Sequence, residues 1–213
     1  MKIELRKIVP LSFVPSASHE NAIWNAEITF CSPEKYLIVA PSGTGKSSLA
    51  AFLYGFRKDF SGEILFDELP SHKMELNAWS LFRRDKLSVV FQDLRLFELL
   101  TVDENLRLKF NLGSELKKEE IEYYADELGI ADLLPRKVNT LSMGQKQRVA
   151  ILRALIQPFR FILMDEPFSH LDSENTGKAL RIINAVCEKQ NAGFILTSLG
   201  ATYNFDPTKI LYL

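Results

Sequence analysis

The chain has 213 residues, 46% of them hydrophobic and 25% charged, with 26 Lys+Arg against 27 Asp+Glu for a formal net charge of -1. That length and mixture fit one globular domain with a small subdomain and exclude global disorder, and the balanced charge argues against a basic coat for nucleic acid. No apolar run reaches the roughly 18 residues of a membrane span, the opening MKIELRKIVP has no apolar signal region, and two cysteines, Cys31 and Cys187, are too few for a disulfide framework or a cysteine-rich zinc site. Reduced thiols in a cytosolic protein are the expectation.

In chain order, Tyr36–Val39 is a short apolar run, and Ala40–Ser47 is a loop rich in Pro, Ser, Gly and Thr. Ser48–Tyr54 holds good helix formers and stops at Gly55. Glu63–Phe66 and Leu87–Phe91 read as strands, and a helical stretch runs from about Val102 to Leu134. Its charge run, Lys117 to Glu120, reads as a solvated helix face. Gly144–Leu155 and Ser173–Lys189 read as helices; Phe161–Met164, Phe194–Thr197 and Ile210–Leu213 read as strands. Trp24 and Trp79 read as packing. There is no internal repeat or low-complexity tract. Such alternation predicts a doubly wound, largely parallel sheet with its ligand chemistry at the carboxyl ends of the strands, interrupted by a helical insertion.

The sharpest motif is Ala40-Pro-Ser-Gly-Thr-Gly-Lys-Ser47. It matches the phosphate-binding pattern G-x-x-x-x-G-K-[ST] except for Ala40 in place of the first glycine. Gly43 and Gly45 let backbone N–H groups turn inward as an anion nest, and the following helix adds its positive end. Lys46 reaches phosphate as a point charge, and the Ser47 hydroxyl is placed for Mg²⁺. The ordinary alternative is a glycine turn with a surface lysine. Downstream, the apolar run Phe161–Met164 enters Asp165-Glu166-Pro167. Two carboxylates at the end of a buried strand are costly unless something uses them. Asp165 is expected in a magnesium shell, and Glu166 is expected to polarise an attacking water.

With these pieces the chain resembles the ATP-binding cassette (ABC) ATPases. Leu141-Ser-Met-Gly-Gln145 resembles the signature L-S-G-G-Q, Val89–Asp93 the Q-loop with Gln92, and Ser169-His-Leu-Asp172 the D-loop. Ser61–Ile64 and Thr101–Asn105 also fit. The resemblance implies an α/β P-loop NTPase fold: a mostly parallel core sheet, a small antiparallel β subdomain and an inserted helical subdomain. Residues 1–92 and 136–213 would form the nucleotide-binding core and 93–135 the helical subdomain of one ATPase domain. It implies ATP and Mg²⁺ as ligands. Ser42, Gly43, Thr44, Gly45, Lys46, Ser47 and Ser48 would bind the nucleotide, and Ser47, Gln92 and Asp165 the metal. In a head-to-tail dimer, Ser142, Gly144 and Gln145 would face the partner's nucleotide while Asp172 crosses the interface. Phe13 is the candidate for stacking on the base, with core packing as the alternative.

Two departures bear on that reading. Met143 replaces the first signature glycine and reads as interface filling. Ser198 stands where the family carries a switch histidine, so a shorter, uncharged donor is expected beside Glu166 and Lys46. The resemblance implies an ATPase subunit, homodimeric or paired with a paralogue, peripheral on the cytoplasmic membrane face through a permease on another chain. Leu94, Leu96, Phe97, Leu99 and Leu100 are the expected docking residues, with internal packing as the rival. The subgroup it most resembles is the lipoprotein-releasing and macrolide-efflux one. The competing function is a slow ATP-gated dimerisation clamp. A role on DNA is a third, but the coiled-coil or zinc insertions of such relatives are missing.

Overall fold

The structure is a computed structural model that describes residues 1–12, 23–200, 203 and 205–213; Phe13 lies outside the described residues. Strand β1 (Lys2–Pro10) pairs antiparallel with β2 (Glu27–Cys31). β3 (Lys35–Val39) leads into helix α1 (Lys46–Leu53), and β4 (Phe60–Phe66) returns to β1 before the short β5 (Leu69–Pro70). Helix α2 (Leu76–Asp85), β6 (Leu87–Val90), α3 (Val102–Phe110) and α4 (Lys118–Glu127) follow. The chain closes with α5 (Met143–Ile156), β7 (Phe161–Asp165), α6 (Ser173–Gln190), β8 (Gly193–Ser198) and β9 (Lys209–Tyr212).

The strands form two sheets, an antiparallel one in the order β2-β1-β4-β5 and a parallel one in the order β6-β7-β8-β3-β9. A parallel sheet is covered on both faces, so its strands read as unbroken apolar runs; every residue of β7 and β8 is buried. Successive side chains feed opposite cores. Leu37, Ile162 and Phe194 join the cluster under α5 and α6, whereas Ile38, Leu163 and Ile195 join the one shared with α1 and the antiparallel sheet. The register sets Val39 beside Ser198, and Asp165 beside Thr197, at one edge.

Three elements escape the sequence reading. β1 and β2 lie in a half-exposed antiparallel sheet, where apolar Ile3 and Leu5 alternate with charged Lys2, Glu4 and Arg6. That alternation breaks up the contiguous runs that betray β7 and β8. Helix α2 fully buries only Trp79, with Ala78 and Phe82 packed beside it. The expected helical stretch over 102–134 holds two helices, α3 and α4. Gly113 at φ 110° and Gly129 at φ 61° take left-handed backbone that ends a helical run.

The helical insertion is tied to the core by polar contacts as well as apolar ones. Within the insertion, buried Asn105 accepts from the Phe97 N–H at 2.9 Å and donates to the carbonyls of Phe97 and Thr101. Lys109 donates to the Gln157 side chain, which in turn donates to the Arg83 carbonyl at 2.9 Å. Burial pushes the Lys109 ammonium down to about 8. Its folded-state value therefore lies below its unfolded one, so the penalty for burying the charge is complete below pH 8 and is relieved as pH rises toward the unfolded value. Lys109→Met is expected to raise the urea midpoint more at pH 7 than at pH 10.5. An equal change at both pH values would show that the charge is not the cost.

Candidate functional site

The segment between β3 and α1 is a loop bent by two glycines, Gly43 at φ 81° and Gly45 at φ 102°. Gly45 is the N-cap of α1 and offers no side chain, so the first N–H groups of the helix are left for an external acceptor. A Cβ on Gly45 would lie 2.9 Å from the Trp24 ring, whereas one on Gly43 would meet nothing within 4 Å. Trp24 Nε1 donates to the Thr44 carbonyl at 3.0 Å, and the Thr44 hydroxyl donates to the Pro41 carbonyl at 2.8 Å. Trp24 does pack, as expected, but it also props the loop from beneath. Ser42 and Gly43 are exposed at the loop's crest. The Ser48 hydroxyl accepts from Arg57 at 2.9 Å, and Arg57 is itself paired with Asp59.

Lys46 is buried and folds back on the loop. Its Nζ donates to the carbonyls of Ala40 at 2.9 Å and Pro41 at 3.2 Å and lies 3.1 Å from Glu166 Oε1, also buried. Ser47 donates from Oγ to Asp165 Oδ2 at 2.6 Å and lies 3.5 Å from Gln92 Oε1. The Thr197 hydroxyl on β8 holds the other oxygen of Asp165 at 2.6 Å. Thus Lys46, Ser47, Gln92, Asp165 and Glu166 meet at the carboxyl edge of β6, β7 and β3. Glu166 sits at φ 50°, a left-handed conformation that costs a non-glycine residue energy and is concentrated at functional sites. Ser198 has no exposed surface; its hydroxyl accepts from the Gly200 N–H at 3.2 Å.

After Gln92 the chain turns through two more left-handed residues, Leu94 at φ 57° and Arg95 at φ 48°. Arg153 on α5 holds this turn by donating to both of their carbonyls, at 2.9 and 2.8 Å. Burial lowers the Arg153 guanidinium to about 10. Leu94 is buried and Leu96 partly buried against the core, while Phe97 is 56% and Leu99 75% exposed. The apolar run beyond Gln92 therefore divides between core and surface.

The signature residues form a second cluster. Ser142 caps α5 in a reciprocal box: its Oγ accepts from the Gln145 N–H at 3.3 Å, and its own N–H donates to Gln145 Oε1 at 2.9 Å. A Cβ on Gly144 would come within 2.8 Å of the His170 carbonyl, so this glycine is needed for packing inside the chain. Gln147 on α5 donates to Ser169 Oγ at 2.8 Å and accepts from the His170 N–H at 3.0 Å. Asp172 caps α6, and the Asn175 N–H that it accepts keeps its carboxyl below the usual range. Met143 stands 46% exposed at the head of α5. Among the described residues no hydrogen bond joins Ser142, Gly144, Gln145 or Asp172 to the loop at 40–48. Trp24, Thr197, Gln147 and Arg153 are the supports that motif reading misses; Thr197 acts on the Asp165 carboxylate and the others on a backbone group or hydroxyl, and none lies in a recognisable pattern.

The chain matches the family model described as "ABC transporter" over residues 24–169. It is 34% identical over 178 residues to the ABC transporter ATP-binding protein YxdL of Bacillus subtilis (strain 168), covering 82% of this chain and 67% of that protein. It is 33% identical over 184 residues to the thiamine import ATP-binding protein ThiQ of Haemophilus ducreyi, covering 84% and 81%. Among solved structures, the dimeric structure of MJ0796, a bacterial ABC transporter cassette, aligns with a TM-score of 0.80 at 29% identity, covering 99% of this chain and 94% of that one. A post-hydrolysis state of the same cassette, bound to ADP and Pi, aligns equally well at 28% identity. The fold is thus that of a known group, and this chain belongs to the ABC transporter family of ATP-binding cassettes.

Proposed function

We propose that this chain binds and hydrolyses ATP as the nucleotide-binding subunit of an ABC transporter. The observation that carries the reading is the convergence of Lys46, Ser47, Asp165 and Glu166 within hydrogen-bonding distance at the edge of the parallel sheet. Ser42 to Ser48 form the nest for the β and γ phosphates. The site suits Mg²⁺: Ser47 Oγ, Asp165 Oδ2 and Gln92 Oε1 are hard oxygen donors brought together on one side of the loop. Ser47, Gln92 and Asp165 would supply the protein's share of the ion's ligands. When bound, the ion neutralises charge on the phosphates.

Lys46 and Glu166 act in sequence. The ammonium is satisfied by Glu166 and two carbonyls. An arriving γ-phosphate takes over the ammonium and releases the Glu166 carboxylate to hold a water and draw its proton. Ser142, Gly144, Gln145 and Asp172 serve a second copy or a paralogous cassette, since they form a separate cluster with an open helix N-terminus. Residues 93–135 act as the helical subdomain, and exposed Phe97 and Leu99 are the side chains presented to a membrane permease on the cytoplasmic face. No described helix is long and apolar enough to cross a membrane. The second reading, a clamp that binds ATP and hydrolyses it slowly, is favoured by one observation: the Ser198 hydroxyl is fully buried and bonded within its own loop. Steady-state ATP turnover of the wild type beside Glu166→Gln separates the two. A motor is well above the variant; a clamp is not.

Lys46→Ala is expected to lose ATP binding at micromolar nucleotide in a titration. It also strands Glu166 as a buried charge, a loss of about 3–5 kcal/mol on unfolding. Adding Glu166→Gln to it is expected to restore most of that stability and none of the binding. Unchanged ATP affinity in Lys46→Ala would overturn the phosphate assignment.

Glu166→Gln alone keeps the shape of the site and loses the water-polarising carboxylate. Light scattering is expected to find it dimeric with ATP and monomeric without. A variant that binds ATP and stays monomeric would argue against a site shared between two chains.

A further inference from the structure

Ser47 and Ser48 stand side by side in the first turn of α1 and face different partners. Helix side chains tilt toward the N-terminus, and successive ones point about 100° apart round the axis. Both hydroxyls therefore lean toward the loop that precedes the helix, Ser47 on the side of Asp165 and Ser48 on the side of Arg57. Arg57 is fixed from three directions. Its Nε donates to Asp59 Oδ1 at 2.9 Å and its Nη2 to Asp59 Oδ2. Its Nη1 donates to Ser48 Oγ at 2.9 Å, and its Cζ stands 5.3 Å from the centroid of the Phe52 ring. A guanidinium cannot accept, so the Ser48 oxygen is the acceptor and its proton is left to be donated elsewhere. A helical serine often returns that proton to a carbonyl one turn back. Here the Thr44 carbonyl accepts from Trp24 Nε1 at 3.0 Å and the Gly45 carbonyl from the Leu49 N–H at 2.9 Å. Among the described residues the Ser48 hydroxyl donates to none.

We propose that Arg57 is a positioning residue of the nucleotide site, holding the Ser48 oxygen so that the Ser48 proton is donated to a phosphate that ATP and ADP share. The inference rests on the ATP-binding reading of the loop. Asp59 neutralises the Arg57 charge, so the contribution is aim rather than attraction. The terminal phosphate of that reading lies toward Lys46 and Glu166, and the metal toward Ser47 and Asp165. Ser48 lies on another flank of the helix, beside the segment at 57–59, whose Asp59 carbonyl accepts from the Leu11 N–H at 2.9 Å just past the end of β1. A hydroxyl there serves an inner phosphate, and a hydrogen bond from it to a charged oxygen changes affinity on the order of 10-fold.

Equilibrium titration of Arg57→Ala is expected to find ATP and ADP affinity reduced by the same factor, on the order of 10-fold. Ser48→Ala is expected to lose as much, and the double variant no more than either. In turnover, KM for ATP rises in Arg57→Ala with kcat little changed, the pattern of a contact made equally before and during the reaction. Thermal melts without nucleotide are expected to stay close to wild type, because the Arg57–Asp59 pair is largely exposed. Adding Asp59→Asn to Arg57→Ala is expected to leave the loss in place. Recovery there would trace the loss to an unpaired carboxylate repelling phosphate and overturn the inference. Unchanged affinity in Arg57→Ala, a loss confined to ATP, or losses that add in the double variant would overturn it too, while leaving the ATP-binding reading standing. A wild type that binds neither ATP nor ADP overturns the underlying reading, and this inference with it.

Discussion

The ion pair between Lys46 and Glu166 is the constraint around which the rest of the site is arranged. Both groups are buried and their charged atoms lie 3.1 Å apart. Removing two ions from water costs several kcal/mol each, and their attraction repays this only when the remaining donors and acceptors are satisfied. The ammonium therefore needs the Ala40 and Pro41 carbonyls as well as the carboxylate. Those carbonyls are available because the loop turns back over the lysine. The turn itself depends on the left-handed Gly43 and Gly45. Ala40 can stand in the first motif position because its own part in the arrangement is played by the backbone: its carbonyl meets Lys46, and its N–H donates to the Ser198 carbonyl at 3.0 Å.

The two sheets contribute differently to holding that geometry. The parallel sheet brings chain ends together by register, so that Asp165 is paired with Thr197 and Val39 with Ser198. Neither alignment depends on side-chain chemistry; both follow from buried apolar strands meeting in one register. The antiparallel sheet acts through the residues that follow and precede it. Trp24 lies just ahead of β2, and its indole supports the Thr44 carbonyl while filling the space beside Gly45. A larger residue at 45 would collide with that indole, and a smaller one at 24 would leave a loop carbonyl without its donor.

Legibility in the sequence followed burial. β3, β7 and β8 were readable because strands covered on both faces are apolar without interruption, and the phosphate loop was readable because its residue types answer directly to anion chemistry. β1 and β2 were not, since each alternates a core residue with a polar or charged one, and α2 fully buries a single tryptophan. The motif residues were found as a set of names, yet nothing in their spacing could tell that Lys46 would meet Glu166 or that Ser48 would meet Arg57. The supports Thr197, Gln147 and Arg153 are invisible for a further reason. Their work is done on a carboxylate, a hydroxyl and backbone groups far away in sequence, for which no local pattern exists. Gly144 shows how a correct expectation can be incomplete: the close approach of the His170 carbonyl already requires a glycine there within one chain.

The same logic explains why the two motif clusters are built so differently. Lys46, Asp165 and Glu166 are buried and satisfied by one another and by neighbouring carbonyls and hydroxyls, so any group that enters there has to exchange partners with the protein. Ser142 and Gln145 satisfy only the first turn of α5 and stay near the surface, tied to the segment at 169–172 by Gln147. A rigid, exposed helix end needs no rearrangement to meet a phosphate presented from outside. One cluster is therefore closed on itself by buried charge, and the other is an exposed helix end held by its own cap. Arg153 on α5 also donates to the carbonyls of Leu94 and Arg95, so the helix headed by Ser142 is joined directly to the turn that follows Gln92.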